Sequence, residues 1–227
     1  MIDPKEVQQF FDRLAPGWDA DMVRNDALIR LILDGAGVCP GKSILDVACG
    51  TGDSTISIAR AAAEGTKVTG ADISEGMMAL VMEKAEKAGV GDRIDLQVAD
   101  GEALPYEDGT FDRVTCAFGI RNFEHKERGL AEFRRVLRPG GKAVILELSV
   151  PQNKVIRWFY DLYFLHILPW VGGAISGDKA AYRYLPASVH HFPAPKDFCA
   201  LMESAGFRSV RCRTFTLGLC RMFVGVR

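Results

Sequence analysis

The chain has 227 residues, of which 48% are hydrophobic and 25% charged, and its formal net charge is -1. This composition is typical of one globular domain with a full core, and the near-neutral charge gives no indication of a nucleic-acid partner. The six cysteines show no C-x-x-C pair, and residues 1–9 lack the apolar core of a signal peptide. We therefore expect free thiols and a cytoplasmic location.

Apolar runs and helical patterns alternate along the chain. They predict strands over residues 42–47, 67–71, 93–99, 111–118 and 142–148, and helices over residues 54–63, 74–88 and 126–136. Beyond residue 150 a helix over 196–205 and a hairpin of 209–215 with 220–226 follow. The alternation predicts an α/β fold with a doubly wound, mostly parallel sheet, in a single domain over residues 1–227.

The segment Asp46-Val-Ala-Cys-Gly-Thr-Gly-Asp53 joins the first predicted strand to the first predicted helix. Gly50 and Gly52 let the backbone turn tightly and approach a ligand without side-chain interference. Asp72 ends the second predicted strand, about 20 residues downstream, where an acid can bind both hydroxyls of an adenosine ribose. The alternative is a glycine turn that only connects a strand to a helix.

The details of this turn narrow the choice of adenosine ligand. A dinucleotide-binding turn would have a third glycine where Thr55 stands, and a P-loop would have a lysine after Gly52. Asp46 and Asp53 would repel a pyrophosphate, whereas an ammonium and a sulfonium cation suit these acids. The segment therefore indicates S-adenosylmethionine.

Six segments stand in the order found in class I S-adenosylmethionine-dependent methyltransferases. They are Asp46–Asp53, Ala71-Asp-Ile-Ser74, Ala103-Leu-Pro-Tyr106, Phe111-Asp112, Ala117-Phe-Gly-Ile-Arg-Asn-Phe123 and Leu137-Arg-Pro-Gly-Gly141. More narrowly, Phe118–Asn122 and Tyr182-Arg-Tyr-Leu-Pro-Ala-Ser188 resemble the C-methyltransferases of ubiquinone and menaquinone biosynthesis. The resemblance implies a Rossmann-like sheet of seven strands, an N-terminal helical cap over residues 1–40, and a helical aromatic substrate lid over residues 151–195.

The resemblance also implies the residues of the cofactor site. Asp72 would bind the ribose hydroxyls, Asp46 and Thr51 would surround the methionine moiety, and Asp100 would contact the adenine edge. The full implied set, with no metal ligand, is Asp46, Ala48, Gly50, Thr51, Gly52, Asp72, Ile73, Met77, Asp100, Gly101, Glu102, Ala117 and Phe118. Asp100 has an alternative interpretation as the cap of a turn at Gly101, and Asp112 is interpreted as structural.

Methylation of a hydroquinone carbon needs a neighbouring ring hydroxyl to ionise, so catalysis should stabilise a phenolate. Arg121 suits that role, with Asn122 as a second hydrogen-bond donor. A water held by Arg121, or His190 or His191, would accept the proton. The alternatives are a capping or surface ion pair for Arg121, and a packing role for the histidines in a turn before Phe192.

Residues 155–171 are rich in aromatic side chains, but they are too short and too interrupted to span a bilayer. Arg157 and Asp161 are spaced to share one helix face, with His166 on the opposite side. This segment could roof the substrate site, rest on a membrane, or pack in a dimer or the core. The predicted substrate-binding residues are Trp158, Phe159, Tyr163, Tyr182 and Tyr184.

These observations predict an enzyme that methylates a ring carbon of an apolar, quinol-like acceptor and yields S-adenosylhomocysteine. A homodimer and a peripheral contact with the inner membrane face stay open. Two alternatives are kept. One is a methyltransferase for another apolar small molecule, such as a sterol or a phenolic natural product. The other is a non-catalytic protein that binds S-adenosylmethionine.

Overall fold

A sheet of seven strands forms the centre of the computed structural model, which describes residues 4–15, 32, 42–63, 65–167 and 179–227. The strands are β1 (Ile44–Val47), β2 (Val68–Asp72), β3 (Ile94–Val98), β4 (Phe111–Ala117), β5 (Leu137–Leu148), β6 (Arg208–Phe215) and β7 (Cys220–Val226). Their spatial order is β3-β2-β1-β4-β5-β7-β6, with β7 antiparallel to both of its neighbours. The predicted doubly wound sheet with an antiparallel C-terminal hairpin is confirmed.

Helices cover both faces of this sheet. They are α1 (Pro4–Leu14), α2 (Asp53–Ala61), α3 (Glu75–Lys87), α4 (Lys126–Val136), α5 (Lys154–Asp161), α6 (Lys179–His191) and α7 (Pro195–Ser204). A π-helical turn, Leu162–Ile167, continues α5. The remainder of the aromatic segment, and most of the predicted cap over residues 1–40, lie outside the described residues. Within the described part of the chain, no helix is both long and apolar enough to cross a membrane.

The apolar run of β5 is explained by two hydrophobic cores, one on each face of the sheet. Ile145 packs with Phe133 of α4 and Phe198 of α7 in one core. Leu146, the next residue, faces the other core, which contains Ile58 of α2. Because neighbouring side chains of a strand point to opposite faces, a strand buried on both sides reads as continuously apolar.

Two predicted boundaries are wrong. The fifth strand starts at Leu137, not at residue 142, because Leu137 pairs with Phe111 and the backbone of Arg227 bonds to Gly140 and Gly141. His190 and His191 were expected in a turn, but they form the last turn of α6. The turn that precedes Phe192 was therefore placed too early in the sequence.

Left-handed backbone occurs at the carboxyl ends of β1 and β4. Ala48 has a φ of 56° and Phe118 a φ of 58°, which are uncommon values for residues with a side chain. A Cβ on Gly119 would lie 2.3 Å from the Cβ of Ala48, so the loops after these two strands touch directly. Strained backbone that surrounding packing holds in place is often found at functional sites.

Candidate active site

Asp72, at the carboxyl end of β2, holds the glycine-rich loop in place. Its Oδ2 accepts a hydrogen bond from the Gly50 backbone N–H at 2.8 Å, and its Oδ1 accepts one from the Ser74 N–H at 2.8 Å. Each oxygen of a carboxylate has a further lone pair, so hydroxyls can still bind here. Burial raises the pKa of Asp72, although the backbone hydrogen bonds oppose that shift.

The loop itself leaves room beside this carboxylate. Gly50 has a φ of 54°, and a Cβ at this residue would meet no atom of the described residues within 4 Å. Gly52, two residues later, faces the core, because a Cβ there would lie 2.6 Å from Cγ1 of Val81 in α3. The loop therefore presents bare backbone and the Asp72 carboxylate to an open space, which suits an adenosine ribose.

Asp46, near the end of β1, lies deeper in the protein than Asp72. The side chain is 1% exposed, and its two oxygens accept hydrogen bonds at 2.7 Å from the hydroxyls of Thr55 and Thr115. Burial raises the pKa of Asp46 to about 6. The hydrogen bonds from the two threonine hydroxyls lower this pKa, whereas the nearby Asp72 carboxylate raises it. The Thr51 hydroxyl accepts a hydrogen bond from Lys84 Nζ at 3.2 Å. Asp46 and Thr51 thus hold the glycine-rich loop in place through these hydrogen bonds.

The start of α3 adds the next part of the site. The Ser74 side chain caps this helix by accepting a hydrogen bond from the N–H of Met77, whose side chain is buried. Asp12 of α1 accepts hydrogen bonds from the Ser74 hydroxyl and from the Gly76 N–H, the latter at 3.1 Å. These bonds fix the N-terminal helix beside Asp72.

The loop after β3 is held by its own turn. Asp100 Oδ1 accepts a hydrogen bond from the Glu102 N–H at 2.9 Å, the arrangement expected for a turn cap. Glu102 in turn accepts one from the His125 N–H at 2.9 Å. A Cβ on Gly101 would lie 2.3 Å from Cζ of Phe123, so this loop packs tightly against the one after β4.

Arg121 forms a buried ion pair with Glu147, at the end of β5. Its Nη1 donates to Glu147 Oε1 at 2.9 Å, and its backbone N–H donates to Oε2 at 3.1 Å. Arg121 is 7% exposed and Glu147 is fully buried. The Phe118 carbonyl accepts a further bond from Nη1. The alternative prediction of a surface ion pair for Arg121 is therefore wrong, because its ion pair with Glu147 is buried.

The two motifs that carry the narrower resemblance are brought together at this ion pair. Arg121 Nε donates to the Ser188 hydroxyl at 3.3 Å, and the Tyr184 hydroxyl donates to Asn122 Oδ1 at 2.8 Å. The Tyr184 ring also lies 4.7 Å from that of Phe10 in α1, measured between centroids. Residues far apart in the sequence, from α1, α6 and the loop after β4, therefore meet beside the cofactor loop.

The predicted histidines lie apart from these contacts. His190 Nε2 lies 3.4 Å from Asp161 Oδ1, which ties α6 to α5. His191 is exposed, and its Nδ1 lies 2.7 Å from the carbonyl of Ala187. The predicted shared face of Arg157 and Asp161 is confirmed by a 3.6 Å ion pair. The side chain of His166 lies outside the described residues.

Two aromatic side chains of α5 and one of the π-helical turn that continues it face outward. Trp158 is 61% exposed, Phe159 is 59% exposed and Tyr163 is 46% exposed. Tyr160, on the opposite face, is buried and stacks on Phe164 with 4.3 Å between ring centroids. Of the predicted substrate-binding residues, Tyr184 lies at the ion pair, and the side chain of Tyr182 is outside the described residues.

Sequence reasoning missed Glu147, because it treated β5 as an apolar strand. The signal is a single carboxylate in the run Val144-Ile-Leu-Glu-Leu148. A buried acid within such a run requires a partner, since an unpaired buried charge is costly. Its arginine partner was already in the predicted site. The partners of Asp46, Thr55 and Thr115, carry no comparable signal.

Comparison with known proteins identifies the family of the chain. The model of the ubiE/COQ5 methyltransferase family matches residues 5–227. The chain belongs to this family. It is 46% identical over 185 residues to the ubiquinone/menaquinone biosynthesis C-methyltransferase UbiE of Geobacter sulfurreducens, which covers 82% of this chain and 72% of the relative.

A second relative matches nearly end to end. The chain is 42% identical over 226 residues to the demethylmenaquinone methyltransferase of Thermus thermophilus, covering 96% of this chain and 99% of the relative. The fold resembles that of an S-adenosylmethionine-dependent methyltransferase from Aquifex aeolicus, with a TM-score of 0.60 at 18% identity. That match covers 100% of this chain and 99% of the other. The predictions of a methyltransferase and of its fold are confirmed.

The raised pKa of Asp46 predicts a pH-dependent stability. An acid whose pKa is about 6 when folded, against 3.8 ordinarily, is protonated more readily in the folded state. Its contribution to stability is therefore full below the ordinary value and is lost as the pH rises through 6. Asp46→Asn removes this loss, so the wild type should lose roughly 3 kcal/mol relative to the variant between about pH 4 and pH 7.

Denaturant unfolding of both proteins across this pH range measures the difference. Asp95→Asn, an exposed position in β3, is the matched control and should follow the wild type at every pH. A difference between wild type and Asp46→Asn that does not change with pH would contradict the buried, proton-binding carboxylate.

Proposed function

We propose that this methyltransferase transfers a methyl group from S-adenosylmethionine to a ring carbon of a quinol-like aromatic acceptor of the demethylmenaquinol type. The observation that carries the proposal is the contact between the Arg121–Asn122 segment and the Tyr184–Ser188 segment, beside the loop that Asp72 holds. These segments carry the resemblance to the quinone C-methyltransferases. The names of both relatives, which include a demethylmenaquinone methyltransferase, point to the same acceptor class.

The cofactor, when bound, supplies a methyl group that its sulfonium has already activated. In the proposal Asp72 binds the ribose hydroxyls, and the bare backbone at Gly50 allows close approach. Asp46 and Asp72 bring negative charge to the side of the loop where an ammonium and a sulfonium would lie. The chief task of the protein is then to align donor and acceptor and to exclude water.

The acceptor is proposed to bind above the carboxyl ends of β4 and β5. Asn122 and Tyr184, which are hydrogen-bonded to each other, offer polar atoms for a ring hydroxyl. Burial raises the pKa of Tyr184, so its hydroxyl stays protonated. It donates to Asn122 Oδ1, and its oxygen lone pairs can accept from the ring hydroxyl. Once that ring hydroxyl has given its proton to water, the neighbouring carbon would be nucleophilic and would bond to the methyl carbon as the methyl–sulfur bond breaks, leaving S-adenosylhomocysteine. Loss of the ring-carbon proton to water would then restore the aromatic ring.

The exposed aromatic face of α5 favours an acceptor with a lipid-like tail. Five apolar and aromatic side chains recur at the spacing of one helix face, and each is at least 41% exposed. They are Val155, Trp158, Phe159, Leu162 and Tyr163. Trp and Tyr side chains are enriched at membrane–water interfaces. We propose that this face contacts the bilayer surface and covers the tail as the acceptor enters the site.

The cofactor assignment is tested at Asp72. Asp72→Asn keeps the shape of the side chain but removes its charge, so the affinity for S-adenosylmethionine should fall by roughly 2–3 kcal/mol. Calorimetric titration measures the loss, with Asp95→Asn as the control that retains wild-type affinity. Wild-type affinity in Asp72→Asn would exclude Asp72 from the ribose site.

Methyl transfer to demethylmenaquinol, and to a demethylated ubiquinol precursor, tests the acceptor class in the same preparations.

The role of α5 is tested by truncating its exposed ring. Trp158→Ala should leave the melting temperature within a few degrees, whereas truncating a core aromatic costs about 3–5 kcal/mol. We expect the KM for a long-tailed quinol to rise and the KM for a short-tailed analogue to stay near the wild-type value. Val98→Ala, an exposed apolar position in β3, should change neither KM. Equal effects on both acceptors would remove the support for tail binding.

A further inference from the structure

Arg221 is a buried arginine that forms no ion pair with any of the described residues. Its side chain is 3% exposed, and its Nε is buried with no hydrogen-bond partner. Its guanidinium has no carboxylate within ion-pair distance in the described part of the chain, where the buried Arg121 does have one. Burying an unpaired charge is expensive, so such a group indicates a ligand that brings the missing negative charge.

The position of Arg221 connects it to the candidate active site. It is the second residue of β7, directly opposite Glu147 in the antiparallel pairing of β7 with β5. Side chains of directly opposed residues lie on the same face of a sheet, about 5 Å apart at Cβ. Glu147 is the partner of Arg121, so both arginines flank one carboxylate at the carboxyl end of β5.

The guanidinium points toward the loops at this edge of the sheet. A Cβ on Gly218 would lie 3.5 Å from Arg221 Nη2 and 3.3 Å from Cα of Pro151, in the loop before α5. The Ser149 hydroxyl fastens the same two loops by donating to the Gly218 carbonyl at 2.7 Å. Arg221 therefore reaches the place where the strand that bears Glu147 passes into the aromatic helix.

Glu147 cannot neutralise both arginines. Its Oε1 accepts from Arg121 Nη1 and from the Leu148 N–H, and its Oε2 accepts from the Arg121 N–H. Two of these bonds come from Arg121, one comes from Leu148, and none comes from Arg221. The three side chains thus carry two positive charges and one negative charge, which leaves one positive charge at the Arg221 guanidinium, next to Gly218 and Pro151.

We infer that Arg221 is an acceptor-binding residue whose guanidinium takes an anionic oxygen of the aromatic acceptor, while Arg121 is a positioning residue held by Glu147. The identity of the ligand rests on the proposed function. A phenolate forms as the acceptor reacts, and a fixed cation in a buried site stabilises such a charge strongly. The planar guanidinium also suits an oxygen anion better than the compact ammonium of lysine.

The inference is tested by binding rather than by turnover. Naphthalene-2-carboxylate and its uncharged amide have nearly the same shape, and both resemble a bicyclic quinol ring. In the presence of S-adenosylhomocysteine, we expect the wild type to bind the carboxylate about tenfold more tightly than the amide, the ratio that one charged hydrogen bond supplies. Arg221→Met should bind both probes with similar affinity, and Arg221→Lys should retain part of the preference.

A thermal melt of the same proteins measures whether Arg221→Met is as stable as the wild type. Because Arg221→Met removes an unpaired buried charge, its melting temperature without probe should match or exceed that of the wild type. The carboxylate should raise the melting temperature of the wild type but not of the variant. Arg211→Met, an exposed arginine of β6, is the matched control and should behave as the wild type.

Three results would overturn the inference: no preference of the wild type for the carboxylate, a preference that persists in Arg221→Met, or a variant that melts well below the wild type. The last would assign the guanidinium to the fold. The probes are not methylated, so this binding result does not depend on the outcome of the quinol methylation assay.

Discussion

The buried ion pair between Arg121 and Glu147 is the interaction on which the proposed substrate side of this enzyme depends. It joins the loop after β4 to the end of β5, and through Ser188 it fixes α6 over both. Asn122 follows Arg121 directly and meets Tyr184, whose ring contacts Phe10 of α1. A single charged contact in a low-dielectric region thus determines where three separate parts of the chain come together.

The proposed cofactor side is built on a different constraint, the geometry of the backbone at the carboxyl edge of a parallel sheet. Left-handed residues after β1 turn the chain back, Asp72 fastens the turn through the Gly50 N–H, and Asp12 fastens α1 to the start of α3. The two sides touch where Gly119 approaches Ala48. Both halves of the site are therefore anchored in the same rigid strands, which favours precise alignment of donor and acceptor.

The sheet and the cofactor loop could be predicted because their signals are local. An apolar strand, a glycine turn and an acid at the end of the next strand lie within one continuous stretch from Ile44 to Asp72. The order of elements then limits the topology to a doubly wound sheet. Helix α4 was predicted with its observed ends because amphipathic spacing and the following Leu137-Arg-Pro-Gly-Gly141 segment both mark them.

The substrate side was harder to predict because its contacts cross long sequence separations. Arg121 was named, but its partner Glu147 lies in a strand that otherwise reads as apolar. Arg221 lies in the segment Leu217–Phe223, and nothing in the neighbouring sequence marks it as buried. Only the pairing of β5 with β7 brings it beside Glu147. Tertiary placement, which composition and periodicity do not contain, decides the role of each of these charges.

The central claim is that Arg121 and Glu147 stabilise the structure as a pair. A double-mutant cycle with Arg121→Met, Glu147→Gln and the double variant measures this coupling directly from denaturant unfolding. Breaking a buried pair leaves one charge uncompensated, so each single variant should lose about 3–5 kcal/mol, and the double variant should lose clearly less than the sum. Losses that add to within about 0.5 kcal/mol would mean that the two side chains act independently, and would contradict the account.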